Sequence, residues 1–116
     1  MIVVTRFSVA TADAAGFQSR CSELLALLAT KEGFLGARLA RSADEPTLWV
    51  MTTEWDSAGT WRRSLAGTDA KVLAIPLLSQ AIDEATVFEP LLSIDADGTT
   101  TEGESLRAES TRSTQR

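Results

Sequence analysis

At 116 residues, 44% of them hydrophobic and 23% charged, the chain fits one domain, small enough that a second subunit would help to cover its core. A formal charge of −5 with both signs interspersed, and no basic stripe that would neutralise a phosphate backbone, leaves nucleic acid out of the expected partners. The sequence holds one Cys and no His, Tyr or Asn, which removes internal disulfides, Cys/His metal sites and the residues most often used for proton transfer.

Met1 to Ser8 shows no basic n-region followed by a sustained apolar run, and no segment approaches the roughly 18 apolar residues of a membrane span. The expectation is a cytoplasmic protein with no membrane partner.

Ile2 to Val9 is β-branched and alternates Val3, Thr5 and Phe7 against Val4, Arg6 and Ser8, which predicts a first strand. Thr11 offers an N-cap, and Phe17, Cys21, Leu24, Leu25 and Leu28 recur at helical spacing, predicting a helix from about Ala12 to Thr30 that Gly33 ends. Phe34 to Arg41 alternates again. Ser42-Ala43-Asp44-Glu45-Pro46 is turn chemistry, so Thr47 to Trp55 is expected to return antiparallel as a hairpin. One face of that strand carries Leu48, Val50, Thr52 and Glu54, the other Trp49, Met51, Thr53 and Trp55. Both faces are partly apolar, so each needs a cover, and a second copy of the chain is the economical cover for one of them.

Asp56-Ser57 caps a helix carrying Trp61, Arg62, Arg63 and Leu65 that stops at Gly67; Asp69 to Ala81 reads as a further helical segment interrupted at Pro76. Thr86 to Leu92 is the last strand, and Pro90 places that end at an edge or a bulge. The order is β-α-β-β-α-β, an α+β, ferredoxin-like split unit with a four-stranded antiparallel sheet, spanning residues 1–93. Residues 94–116 contain a single large aliphatic beyond Ile94, Leu106, and no aromatic, so they are expected to be a disordered polar tail.

Several details say more than the element order. Glu54-Trp55-Asp56-Ser57 followed by Trp61, the run Val72 to Asp83 leading into Thr86-Val87-Phe88-Glu89, and the turn Glu32-Gly33-Phe34-Leu35-Gly36 together resemble the antibiotic biosynthesis monooxygenase family over Met1 to about Leu92. The resemblance implies a homodimer whose sheets pair into a dimeric α/β barrel, with a pocket in each subunit between sheet and helices. It implies a cofactor-independent monooxygenase of a small aromatic or polyketide-like compound. The haem-degrading relatives use an axial His, an Asn on the first strand and a Trp on the second helix. Here His and Asn are missing and Ser64 stands where that Trp would be, so haem degradation is disfavoured and no cofactor is expected.

Trp61, Arg6, Arg38 and Trp49 are the residues to which substrate binding is assigned, by position. Trp61 opens its helix beside the strand carrying Trp49 and Trp55 and is placed to stack on a flat ring, although large aromatics there ordinarily fill a core. Arg6 and Arg38 would stabilise an anionic oxygen; the ordinary role of such arginines is a surface charge paired with Glu54 or Glu89. Cys21 lies on the apolar stripe and reads as core, with no His to activate it. No glycine pattern makes a nucleotide loop, and no clustered acids make a metal site. The catalytic residues and any general base stay unassigned. The rival reading is a non-catalytic ligand-binding or assembly module on the same barrel.

Overall fold

The structure, a computed structural model, describes residues 1–103. In chain order it contains β1 (Ile2–Ser8), a 3₁₀ turn (Thr11–Asp13), α1 (Ala14–Leu28), β2 (Phe34–Arg41), β3 (Leu48–Trp55), α2 (Ala58–Ser64), α3 (Thr68–Leu78), β4 (Val87–Phe88), β5 (Leu92–Ile94) and β6 (Thr100–Glu102). The first four strands form an antiparallel sheet in the order β2-β3-β1-β4, the ferredoxin-like arrangement expected from the element order.

Alternation in the strands decides which residues meet the helices. Val3, Thr5 and Phe7 of β1 and Trp49, Met51, Thr53 and Trp55 of β3 are all buried, and they meet Phe17, Cys21, Leu24 and Leu28 of α1 with Ala74 and Leu77 of α3. Each large apolar side chain buried there contributes about 1.5–3 kcal/mol, so this one layer carries the fold. Phe7, Phe17 and Trp49 make a row of edge-to-face contacts, with centroids 4.9 and 5.4 Å apart. Phe34, Trp55 and Trp61 make a second row at 5.5 and 5.7 Å. Trp55 is wholly buried and satisfies its indole by donating Nε1–H to Thr53 Oγ1 at 2.8 Å. The other face of the sheet carries Ile2, Val4, Arg6, Leu48, Val50, Thr52, Glu54 and Arg38, and none of these is fully buried.

Three sequence expectations change. Thr11 does not cap α1: residues 11–13 wind as a 3₁₀ turn closed by Asp13 N–H to the Ala10 carbonyl, and Asp13 becomes the N-cap without a side-chain bond. The second helical region breaks at Gly67 as expected, with Gly67 the extended N-cap of α3, but the interruption expected at Pro76 does not occur: Pro76 sits inside α3. Pro76 lies in the last turn on an exposed side, where water can serve the carbonyl left without a donor. The last strand is shorter than Thr86 to Leu92. Only Val87 and Phe88 pair with β1, at the sheet edge, and Pro90 precedes a departure from the sheet.

The region expected to be a structureless tail from residue 94 needs correction in its first part. Leu92–Ile94 and Thr100–Glu102 pair as an antiparallel hairpin. Its turn is local chemistry that a count of apolar residues does not register: Gly98 takes φ +87°, its N–H donates to the Asp95 carbonyl at 2.8 Å, and the Thr99 N–H donates to Asp97 Oδ1 at 2.9 Å. Residues 104–116, the rest of that expected tail, lie outside the described residues. Among the described residues no helix is long and apolar enough to cross a membrane.

Candidate functional site

Two of the motifs singled out in the sequence prove to be one structural junction. Gly33 takes φ +84°, a conformation that suits glycine, and its carbonyl accepts the Asp56 N–H at 2.9 Å. A Cβ at Gly33 would stand 2.5 Å from both Asp56 Oδ1 and Thr60 Cβ, so glycine is required by contact as well as by conformation. Ser57 caps α2 by accepting the Thr60 N–H at 3.1 Å, while the Thr60 hydroxyl donates to Asp56 Oδ1 at 2.7 Å. The Glu32 to Gly36 turn and the Asp56-Ser57 cap therefore lock the start of β2 onto the start of α2. Trp61 follows on that helix and rests half-buried against Trp55.

The centre of the interface between sheet and helices is filled: Leu24, Leu28 and Trp55 have 1%, 0% and 0% of their surface exposed. Space opens at its margin. Between α1 and β2 runs a groove of roughly 550 Å³, lined by Gln18, Ser22, Leu25 and Ala26 on the helix, by Ala29 just past its end, and by Phe34, Ala37 and Leu39 on the strand. That volume suits a small organic molecule. Its wall is apolar apart from Gln18 and Ser22 and contains no acid or base, so it can hold and orient a ring but cannot itself exchange a proton with it. A second hollow of similar size lies on the opposite face of the sheet, between Ile2, Leu35, Arg38, Thr52 and Glu54.

The residues to which binding is assigned from the sequence divide between these two faces. Trp49 and Trp61 are on the helix side, Trp49 packed edge-on against Phe17. Arg6 and Arg38 are on the open side, because their register partners Val50 and Thr52 point there. Arg6 pairs with Glu84 at 3.6 Å, and Arg38 shares the open-face hollow with Glu54. Neither guanidinium reaches a space between sheet and helices, and the four residues do not form one site within the chain. Arg41 is the residue that sequence reasoning passes over: it faces the helix side at the end of β2, in register with Trp49, and its Cζ lies 5.6 Å from the Trp49 ring centroid. The period-2 alternation that puts Leu39 inward marks Arg41 as inward too, and that is the signal that could have found it.

Cys21 is fully buried, and burial pushes its thiol up to about 11, which keeps it protonated and unreactive at neutral pH. Among the described residues no group of three or more His, Cys, Asp or Glu side chains is arranged to hold a metal ion.

The family model for antibiotic biosynthesis monooxygenases matches residues 1–73, from β1 into α3. Among solved structures, the chain is similar to SnoaB, a cofactor-independent oxygenase from Streptomyces nogalater, at 29% identity over 72% of this chain and 84% of that one, with a TM-score of 0.62. A conserved protein from Methanosarcina mazei Go1 has the same TM-score at 23% identity, covering 74% of this chain and 84% of its own, a likeness of fold alone. No curated protein matches the sequence significantly.

Proposed function

The chain belongs to the antibiotic biosynthesis monooxygenase family, and from that premise we propose that it is a cytoplasmic homodimer that oxygenates a small aromatic or polyketide-like compound without a bound cofactor. The observation that carries this reading is the α1–β2 groove, an apolar slot on the helix side of a fold shared with a cofactor-independent oxygenase. Such a reaction needs a substrate that is itself the reductant. A phenolate or enolate with a doubly benzylic CH₂ passes electrons to dioxygen; one oxygen atom becomes the new carbonyl, the other leaves as water with the two carbon-bound hydrogens, and the four-electron balance closes within substrate and O₂. The chain's part in the groove is to hold and orient the ring. Since no acid or base lines the groove, a substrate that ionises readily is the better match.

Subunit pairing is proposed through the open face of the sheet. Ile2, Val4, Leu48 and Val50 present half-buried apolar surface there, and Leu35 is 65% exposed. In that arrangement Arg6 and Arg38 belong to the interface region and Trp61 supports the binding side from behind Trp55. The rival reading, a module that binds an aromatic ligand without turning it over, is favoured by the same groove wall: it offers position but no proton acceptor.

Oxygen uptake with an anthrone decides between them. Uptake above the buffer rate, reduced in Trp61→Ala, supports the oxygenase; uptake at the buffer rate with the anthrone nonetheless bound supports the module. A single-chain mass in solution at micromolar concentration would remove the dimer.

A further inference from the structure

The groove between α1 and β2 is chemically uneven along its length. At one end Ala29 faces Phe34, the first ring of the Phe34–Trp55–Trp61 row. Toward the other end lie Leu39 and Gln18, and the next residue of β2 on the same face is Arg41. Strand geometry puts that residue about 7 Å beyond Leu39, within the length of a two-ring ligand.

Arg41 differs from the other arginines of the sheet. Among the described residues the ion pairs are Arg6 with Glu84 and Lys31 with Asp69, and Arg38 lies in the same hollow as Glu54. Among those residues no carboxylate answers Arg41. Its contact is the Trp49 ring, a cation–π arrangement that uses the positive field and leaves the N–H donors available. The same ring carries a second unanswered donor. Trp49 is 6% exposed, and its Nε1–H is buried without an acceptor, the one such side-chain atom among the described residues. A buried donor without a partner is costly and uncommon, and here it adjoins a cation without a counterion. The guanidinium calls for an anion, and the indole N–H for an acceptor.

We propose that Arg41 is a specificity-determining residue that holds the anionic oxygen of a flat aromatic ligand whose ring lies in the α1–β2 groove, with Trp49 as the platform that fixes the guanidinium. The site rests on the reading of an aromatic substrate but not on turnover. It places the cation on the helix side, where Arg6 and Arg38 do not reach, and it supplies what the groove wall lacks: a charge that favours the ionised form of a phenol or carboxylic acid at the moment of binding.

The experiment is a titration of the full-length protein with 2-naphthoate and with its neutral counterpart 2-naphthamide, followed by calorimetry and by the indole ¹H–¹⁵N resonances. Wild type is expected to bind naphthoate more tightly than naphthamide, with the naphthoate affinity falling as salt is raised. Arg41→Gln is expected to lose at least tenfold for naphthoate and less than twofold for naphthamide, Arg41→Lys to fall between, and Arg38→Gln to match wild type. The Trp49 indole resonance should move with naphthoate. Equal affinity of wild type and Arg41→Gln for naphthoate, an equal loss for both ligands, or no naphthoate binding by wild type would each overturn the assignment. Binding with the expected Arg41 dependence but no oxygen uptake would remove the oxygenase and leave this site standing.

Discussion

On β3, Trp49, Met51, Thr53 and Trp55 are buried under α1 and α3, while Leu48, Val50, Thr52 and Glu54, interleaved with them, remain half-buried or exposed. The same eight residues thus build two faces in different states of completion. On the helix side every large side chain of the strand is packed within the chain; the Trp55 indole has its donor met by Thr53, and among the described residues the Trp49 donor alone stays unanswered. On the open side Ile2, Val4, Leu48 and Val50 stay partly in water. The difference teaches where chemistry has room. A finished layer leaves no cavity at its centre, so ligand space is displaced to its margin at α1 and β2, and the unfinished layer is where a second copy is proposed to sit.

Exchanging the two faces gives the largest expected effect. Met51→Glu puts a carboxylate without a partner into the finished layer, which is expected to cost about 4 kcal/mol or more, a large part of the roughly 5–15 kcal/mol that holds a domain of this size. Val50→Glu, one residue away, faces outward; its thermal midpoint should stay within a few degrees of wild type while its sedimentation mass falls from two chains to one. A Met51→Glu protein that melts like wild type would show that the face assignment is wrong. A Val50→Glu protein that still sediments as two chains would place the proposed pairing elsewhere.

How much of this is legible in the sequence follows from the same comparison. Strand alternation and the helical stripe through Phe17, Cys21, Leu24 and Leu28 carry a strong periodic signal, and burial follows it residue by residue. The hairpin at Leu92–Ile94 and Thr100–Glu102 carries no such signal, because it is held by the Asp95 to Thr99 turn and not by a packed face. For the site, alternation places Arg6 and Arg38 together with Val50 and Thr52, yet which side of a sheet the helices cover depends on the whole chain. Both arginines lie on the far side of the sheet from a pocket against the helices, and Arg41, inward by the same count, escapes a search that stops at the middle of each strand. The family motifs are legible as sequence but encode the contact between Gly33 and Thr60, a fact of folding rather than of chemistry.

A smaller effect tests that contact. Gly33→Ala forces a side chain into a positive φ and against Asp56 and Thr60, and should destabilise by about 1–3 kcal/mol in urea unfolding. Gly16→Ala is the opposite case. Gly16 lies in α1 with nothing within 4 Å of where a Cβ would stand, so alanine there should stabilise by about 0.5–1 kcal/mol. Opposite signs at the two glycines are the expected result, and a neutral Gly33→Ala would mean that the junction yields more easily than its contacts imply.

The smallest effect concerns how the two main helices are tied beneath the finished face. Lys31, just past the end of α1, donates to Asp69 in the first turn of α3 at 3.1 and 3.4 Å. That bond, with the Ala70 N–H beside it, holds the Asp69 carboxyl below the usual carboxylate range. Because the folded value is the lower one, the unfolded chain takes up the proton first. The stabilisation is therefore complete above the ordinary Asp value near 4 and is lost as pH falls through the folded value. Asp69 is exposed, so the pair is screened by salt and its worth at neutral pH is small. The informative measurement is the difference in thermal midpoint between wild type and Asp69→Asn from pH 7 to pH 3 at low salt. It should be constant down to about pH 5 and then shrink as Asp69 is protonated, since only wild type loses a charged partner for Lys31. A difference that stays flat to pH 3 would mean that Lys31 and Asp69 are neighbours without coupling, and that α1 and α3 are held by their shared apolar core alone.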